Sequence, residues 1–161
     1  MASSQWPVAR GRGNGRPCPL SARLSALAAL VPKGAFVCDV GSDHGMLPMY
    51  LLQEGICEKA VVSDVNAAPL ERAKEAFSQS GLSDRAVFCL CDGIAALLQH
   101  KPDVFVIAGM GGETIRRILS EALAAIPSGA AFLLQPMTKE ASLRAFLYEN
   151  GFRIKNETAV C

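Results

Sequence analysis

The chain has 161 residues, of which 50% are hydrophobic and 6% aromatic, so it is long enough for one domain with a mainly aliphatic core. Its longest apolar run, residues 25–32, stops at Pro32 and falls far short of the roughly 20 residues of a membrane-spanning helix, which indicates a soluble protein. The net charge of +1 is uneven: residues 1–34 carry five basic residues and no acid, and the rest carries 11 basic and 15 acidic residues.

The first 19 residues are rich in Gly, Pro, Ser and Arg, and they hold too few apolar side chains to form a core. They are predicted to be a disordered basic tail. An arm that binds RNA and an Arg-rich transit peptide are the alternatives, and the lack of an amphipathic helical pattern favours the plain tail. The predicted folded domain covers residues 20–161.

From residue 20 onward, helical and strand patterns alternate. Helical spacing of apolar residues predicts helices at residues 20–31, 46–55, 69–81, 93–100, 112–126 and 139–151. Apolar runs predict strands at residues 35–40, 59–65, 86–92, 103–109 and 129–135, and a sixth strand that begins in residues 152–160. Strands that are apolar on both faces, each followed by a helix, indicate a doubly wound α/β fold, with a mostly parallel sheet and helices on both faces.

The six cysteines include no C-x-x-C pair, and only two histidines accompany them, so no metal site is predicted. Cys38, Cys89 and Cys91 lie within apolar strand patterns, where a free thiol behaves as a small hydrophobic group. We therefore expect reduced, buried cysteines and a cytoplasmic protein.

In doubly wound sheets, ligands bind beyond the carboxyl ends of the strands. The segment VCDVGSDHG, residues 37–45, ends the first strand, and Gly41 there allows a tight turn whose amides face a ligand. The turn departs from the dinucleotide fingerprint G-x-G-x-x-G, because Asp43 replaces the second glycine and would repel a pyrophosphate. A cationic or neutral ligand suits the turn better, and Asp39, Gly41 and Ser42 are assigned to its binding site.

Asp64 ends the second strand, about 20 residues beyond the glycine turn, where an acid can accept both hydroxyls of a ribose. The alternative is an N-cap for the next helix, but the helical pattern begins several residues later, near Pro69. Val65 is assigned to the same site.

Asp92 and Gly93 end the third strand, where an acid can accept the amino group of adenine and a glycine lets the ring approach. An ordinary Asp-Gly turn is the alternative. Ala108 and Gly109, at the end of the fourth strand, are assigned to the same binding site. These features together indicate a nucleoside with a positively charged, phosphate-free tail, which describes S-adenosylmethionine better than NAD.

Three segments, DVGSDHG (39–45), IAGMGGETI (107–115) and LLQPM (133–137), resemble in this order the bacterial tRNA (adenine-N1) methyltransferases that act on adenosine 22 of tRNA. The resemblance covers about residues 20–160. It implies the Rossmann-like class I methyltransferase fold, S-adenosylmethionine as methyl donor and tRNA as substrate. Family members continue into a seventh strand and a helical domain, whereas this sequence stops at Cys161, so an unfinished sheet edge and no C-terminal helical domain are expected.

On this resemblance, Asp43 and His44 are the candidate catalytic residues. Adenine N1 has a free lone pair at neutral pH, so its attack on a methyl group requires alignment and no general base. Asp43 would accept a hydrogen bond from the N6 amino group or offset the positive charge of the product, and His44 would orient the base or stack on it. The alternatives are that His44 is a local hydrogen-bonding partner and that Asp43 caps the helix near Met46.

Six residues near the ends of the fourth and fifth strands are assigned to the substrate: Met110, Gly111, Gly112, Arg116, Gln135 and Pro136. The glycines of the GMGG motif, residues 109–112, would leave room for a base against the backbone. Arg116 is a candidate phosphate contact, although adjacent arginines on a helix are commonly just solvated.

Three other functions fit parts of the pattern. A methyltransferase of the same fold could act on a small molecule, which would require a closed pocket. A non-catalytic RNA-binding fragment could keep the fold without turnover. An NAD-dependent oxidoreductase is disfavoured by Asp43 in the first turn.

Overall fold

A computed structural model describes residues 19–160 of the chain. The predicted tail, residues 1–19, therefore lies outside the described residues except for Pro19. The five strands are β1 (Val37–Val40), β2 (Ala60–Asp64), β3 (Ala86–Leu90), β4 (Val104–Met110) and β5 (Ala131–Pro136). The five α-helices are α1 (Ala22–Leu30), α2 (Met46–Gln53), α3 (Ala67–Gln79), α4 (Gly112–Ala122) and α5 (Glu140–Glu149). The short helix predicted at 93–100 is a 3₁₀ helix, Ala95–His100.

The strands form one parallel sheet in the order β3-β2-β1-β4-β5. Val37 of β1 is in register with Ala60 of β2 on one side and with Val104 of β4 on the other. The chain order therefore reverses between β1 and β4, and a crevice opens at such a switch point beyond the carboxyl ends of the strands. The predicted doubly wound α/β fold is confirmed.

Side chains alternate between the two faces of the sheet, and each face has its own apolar core. Val37 and Val62 pack beneath α1, α2 and α3. Cys38, Val61 and Phe105 point to the other face, where α4, α5 and the 3₁₀ helix cover them. Burial of these aliphatic and aromatic groups is the main stabilising contribution to the sheet.

β4 contains an irregularity at its carboxyl end, where its register against β5 shifts between Ala108 and Met110. Gly109, the residue between them, has a φ of 72°, a conformation that glycine adopts at little cost. A bulge bends its strand locally, and bulges of this kind commonly re-aim side chains beside functional sites.

The predicted sixth strand is wrong. Within the described part of the chain, residues 152–160 form no strand, and β5 remains an edge of the sheet. A strand exists only through its ladder of hydrogen bonds to a neighbour, so the pattern of FRIKNETAV alone does not produce one. Beside this edge, the segment helps to line a groove of about 710 Å³ with β5 and α5.

Candidate active site

Asp39 forms the floor of the site at the carboxyl end of β1. Its side chain is 5% exposed, and its Oδ2 accepts a hydrogen bond of 2.6 Å from the Ser42 hydroxyl. Burial raises the pKa of Asp39 to about 6; the bond from Ser42 opposes this shift, and the nearby charge of Asp64 adds to it. Above pH 6 the fold therefore holds a buried negative charge, which a bound cation would stabilise.

The turn after β1 has the tight geometry that its glycines predict. Gly41 and Gly45 have φ values of 66° and 70°, in the left-handed region. A Cβ atom placed on Gly41 would lie 2.1 Å from Cε of Met110, so the turn passes directly against the end of β4. The first turn and the fourth strand thus border one crevice.

Asp64 joins two turns through its carboxylate. The side chain is 8% exposed; Oδ2 accepts the Asp43 amide at 3.3 Å, and Oδ1 accepts the Asn66 amide at 2.8 Å. The predicted start of α3 near Pro69 is wrong by two residues, because the helix begins at Ala67 with Asn66 as its N-cap. Asp64 is therefore not the N-cap, and each of its oxygens keeps a lone pair for a further donor.

Asp43 and His44 form a hydrogen-bonded chain with Arg72, a residue of α3 that the sequence did not indicate. His44 Nδ1 lies 3.0 Å from Asp43 Oδ1, and Arg72 Nε donates to His44 Nε2 at 3.1 Å. Because an arginine Nε–H can only donate, Nε2 is the acceptor, and the proton of the neutral imidazole is on Nδ1. The Asp43 and His44 side chains are 73% and 50% exposed. We call this exposed group of Asp43, His44 and Arg72 the rim of the site.

The alternative interpretation of Asp43 as a helix cap is wrong. The N-cap of α2 is Gly45, and no side chain provides a capping hydrogen bond there. Asp43 itself has a φ of 46°, a left-handed conformation that is rare for residues other than glycine, asparagine and aspartate. Strained residues of this kind cluster at functional sites.

At the end of β3, Asp92 is held by Arg117 from α4. The two side chains form an ion pair of 3.1 Å, and Arg117 also contacts Glu121 at 2.9 Å. Asp92 is exposed and keeps free lone pairs, so its predicted contact to an adenine amino group remains a prediction. Gly93 is buried with a φ of 71°, and Val65 exposes 59% of its surface, which offers an apolar patch for a ring.

The glycines of the GMGG motif have different surroundings. A Cβ on Gly112 would lie 2.7 Å from the Thr138 carbonyl oxygen, and one on Gly111 would lie 3.1 Å from the Thr138 hydroxyl. These two glycines therefore serve the packing of the β4 turn against the β5 turn. Of the three, only Gly109 is exposed, and the atoms nearest to a Cβ placed on it belong to the Arg23 guanidinium, at 3.6 Å.

The Gln135 side chain connects the ends of β4 and β5. Its Oε1 accepts the Gly109 amide at 3.0 Å, and its Nε2 donates to the Pro136 carbonyl at 3.3 Å. Both of its polar atoms thus hold the turn. Arg116 is paired with Glu113 at 3.0 Å on the exposed side of α4. The substrate contacts assigned to Gln135, Pro136 and Arg116 remain predictions.

The described cysteines are free thiols: Cys38 and Cys57 are buried, whereas Cys89 and Cys91 are only half-buried. Burial raises the pKa of the Cys57 thiol to about 12. Residues 19–160 contain no group of three or more His, Cys, Asp or Glu side chains able to hold a metal ion. No helix in this range is long and apolar enough to cross a membrane.

Comparisons with known proteins agree with this geometry. A family model described as a methyltransferase domain matches residues 20–161. The tRNA (adenine(22)-N(1))-methyltransferase of Bacillus subtilis is 30% identical over 138 residues, covering 86% of this chain and 58% of that protein.

Two solved structures of relatives contain a nucleoside ligand. Sp1610 of Streptococcus pneumoniae in complex with S-adenosyl-L-methionine has a TM-score of 0.81 at 36% identity, covering 87% of this chain and 66% of that one. TrmK of M. capricolum in complex with S-adenosyl-homocysteine has a TM-score of 0.78 at 27% identity, covering 86% and 62%.

The chain spans 58% to 64% of the length of the curated relatives that it matches. Over the matched part, the similarity confirms both the resemblance predicted from the three motifs and the Rossmann-like methyltransferase fold. The chain belongs to the methyltransferase domain family.

Proposed function

We propose that this protein transfers a methyl group from S-adenosylmethionine to N1 of an adenosine in tRNA, in the cytoplasm. The observation that carries the proposal is a floor of two buried carboxylates, Asp39 and Asp64, next to the exposed Asp43–His44 pair. The activity named for the Bacillus subtilis relative supports the same reaction and substrate.

The residues of the floor fit S-adenosylmethionine. Asp64 has lone pairs left for the two ribose hydroxyls, and Asp39 supplies a buried negative charge for a cationic ligand. The missing side chain of Gly41 leaves room for Met110, which packs against the first turn and brings the end of β4 next to the donor site. Ser42, Val65, Asp92, Gly93, Ala108 and Gly109 are the remaining proposed contacts. When bound, S-adenosylmethionine supplies a methyl group activated by its positively charged sulfur.

The protein's contribution to the reaction is alignment and charge stabilisation. Adenine N1 would attack the methyl carbon with its own lone pair while the methyl–sulfur bond breaks and S-adenosylhomocysteine leaves. Holding N1, carbon and sulfur in line is therefore the main requirement, and such positioning can supply roughly 7–11 kcal/mol of the barrier. The adenine becomes cationic as the bond forms. The Asp43 carboxylate, on the rim beside the floor, stabilises that developing charge.

The hydrogen bonds of His44 limit the ways in which it can contact the target base. Its Nδ1–H is engaged by Asp43 and its Nε2 by Arg72, so both ring nitrogens are occupied. The face of the ring remains available, and stacking on a base needs only that face. Of the two predicted roles for His44, stacking is therefore the one we propose.

The openness of the rim favours a macromolecular substrate over a small molecule. A small substrate needs a pocket that encloses most of its surface. Here the two proposed catalytic side chains are half exposed or more, which suits a base extruded from an RNA.

The test is nucleoside analysis of an unmodified tRNA transcript after incubation with the protein and S-adenosylmethionine. We expect 1-methyladenosine in the mass spectrum of the digest, and none when the donor is omitted or the target adenosine is replaced by guanosine. Methylation of a different nucleoside, or no methylation although the donor raises the thermal midpoint, would contradict the proposed reaction.

A further inference from the structure

Arg23 in the first turn of α1 extends over the carboxyl ends of β4 and β5. Its Nη1 lies 3.4 Å from Sδ of Met137, just after β5. Its Nη1 and Nη2 lie 3.6 and 3.7 Å from the position of a Cβ atom on Gly109. The guanidinium therefore borders the one exposed glycine of the GMGG motif.

The charge of Arg23 has no carboxylate partner within residues 19–160. Three other described arginines, Arg116, Arg117 and Arg144, each form an ion pair. Arg85 donates to three backbone carbonyl groups. Among residues 19–160, the Arg23 guanidinium donates only to a thioether sulfur, a weak acceptor, and most of its five N–H donors have no acceptor in this range.

Nothing in α1 itself accounts for an arginine at this position. The helix begins at Ala22, with Ser21 as its N-cap, so Arg23 lies in the first turn. A positive charge there opposes the helix dipole and weakens the helix slightly. The side chain is also exposed and contributes little to the core. Arg23 is therefore better explained by a contact to a ligand than by a contribution to folding.

We infer that Arg23 is a positioning residue that binds a backbone phosphate next to the target adenosine. The inference rests on the proposed function. A guanidinium donates two parallel hydrogen bonds to a phosphate, which fixes direction as well as distance. A contact to the adenine ring is disfavoured, because methylation makes that ring cationic and the two positive charges would repel each other.

The surroundings of Arg23 suit an anion. Residues 108–112 and 135–139, which follow β4 and β5 toward the site, contain no acid and include Lys139. A phosphate bound by Arg23 would place the attached nucleotide near Gly109, which is exposed and has no side chain. Because β4 neighbours β1, the base of that nucleotide would be near the first turn.

The test measures binding of a fluorescent tRNA transcript at several salt concentrations, with S-adenosylhomocysteine present. Arg23→Gln keeps much of the side-chain length and removes the charge, and we expect it to weaken binding about 10-fold. The slope of log affinity against log salt should fall by about 0.9, the value for one phosphate contact. Arg23→Lys should recover part of the affinity. The control, Arg153→Ala, removes an exposed arginine after α5. Its neighbour Phe152 packs against Phe132 near the amino end of β5, away from the carboxyl ends of the strands.

Equal losses of affinity for Arg23→Gln and Arg153→Ala would overturn the inference, because the effect would then be general charge. Unchanged tRNA affinity for Arg23→Gln would overturn it as well, even if methylation at saturating tRNA fell, since Arg23 would then act on the base. Unchanged affinity for S-adenosylhomocysteine shows that each variant is folded. The binding measurement needs no turnover, so a protein that binds tRNA through Arg23 without methylating it would refute the proposed function alone.

Discussion

The carboxyl edge of the sheet has two halves of opposite electrostatic character. The half formed by β1, β2 and β3 carries an acid at the end of every strand: Asp39, Asp64 and Asp92. The half formed by β4 and β5 ends in glycine, methionine and glutamine, with Arg23 above it. A cationic methyl donor suits the first half, and a polyanionic substrate suits the second, so the reaction we propose joins ligands of opposite charge across the switch point.

The acidic half is itself divided into a floor and a rim. Asp39 and Asp64 are buried and hold hydrogen bonds from the chain, whereas Asp43 projects into solvent from a left-handed turn. Burying a carboxylate is unfavourable unless a partner charge arrives. The floor therefore costs folding free energy in the free protein, and the rim carries its charge at little cost.

The largest expected effect is the change in stability when the buried carboxylate of Asp39 is removed. Asp39 has a pKa of about 6 in the folded protein against an ordinary value of 3.8, so its contribution to stability is present below pH 3.8 and lost as the pH rises to about 6. Asp39→Asn removes this titration and can still accept the hydrogen bond from Ser42. At pH 8 we expect the variant to be more stable than the parent by about 3 kcal/mol, and near pH 4 no more stable.

Urea unfolding between pH 4 and pH 8 measures this difference, with Asp84→Asn, a change of an exposed carboxylate, as the control. Calorimetry should find weaker binding of S-adenosylmethionine by Asp39→Asn, because the cationic ligand loses its buried counter-charge. If parent and variant keep the same pH dependence of stability, the charge of Asp39 is not the destabilising feature of the floor.

The charge of Asp43, on the rim, should affect the rate of methyl transfer and not the stability of the fold. Asp43→Asn keeps the left-handed turn, which asparagine tolerates, and keeps an acceptor for His44 Nδ1–H. We expect methyl transfer to tRNA to fall about 100-fold, which corresponds to about 2.7 kcal/mol of lost transition-state stabilisation. The affinity for S-adenosylmethionine and the free energy of unfolding should stay close to those of the parent.

Single-turnover methylation at saturating donor is the decisive measurement for Asp43→Asn. A rate equal to that of the parent would make Asp43 a residue of the turn only. A loss of donor affinity equal to the loss of rate would move Asp43 from the rim into the donor site.

The sequence predicted the floor better than the rest of the site. Strand periodicity and an acid at each strand end place Asp39 and Asp64 correctly, because the carboxyl ends of parallel strands share one edge. The exposed site residues have partners on helices far along the chain. Arg72 lies 28 residues from His44, and Arg117 lies 25 residues from Asp92. No local pattern encodes such contacts between elements.

The spacing of acids around each arginine is a further signal in the sequence, because it indicates which arginines have a local partner. Arg116 and Arg117 have acids three or four residues away on α4, and both form ion pairs with them. Arg23 has no acid within four residues on either side, so the sequence leaves it without a local partner. The sixth strand failed for the opposite reason, since its local pattern was suitable but residues 152–160 form no hydrogen-bonded ladder with β5 or another described strand.

The smallest expected effect concerns Arg72, which links the rim to α3. Arg72→Ala removes the donor to His44 Nε2, so the imidazole keeps only its bond to Asp43 and is less firmly oriented. The bond is exposed, and a net hydrogen bond contributes about 0.5–1.5 kcal/mol, so we expect kcat for tRNA methylation to fall about 2- to 10-fold. The ¹⁵N shift of His44 Nε2 should change because this nitrogen loses its donor, whereas the shift of Nδ1, which Asp43 still binds, should stay close to that of the parent. Lys74→Ala, which breaks the exposed Lys74–Glu71 ion pair on the same helix, should leave both readouts unchanged.

A double-mutant cycle separates this positioning role from a direct contact of Arg72 with RNA. If Arg72 acts through His44, the substitution Arg72→Ala should have little further effect in a His44→Ala background, because the group that it orients is gone. If the two losses in rate simply add, and Arg72→Ala also lowers the salt dependence of tRNA binding, Arg72 contacts a phosphate itself. In that case Arg72 of α3 would bind the tRNA next to Asp43 and His44, and the tRNA would contact both halves of the carboxyl edge.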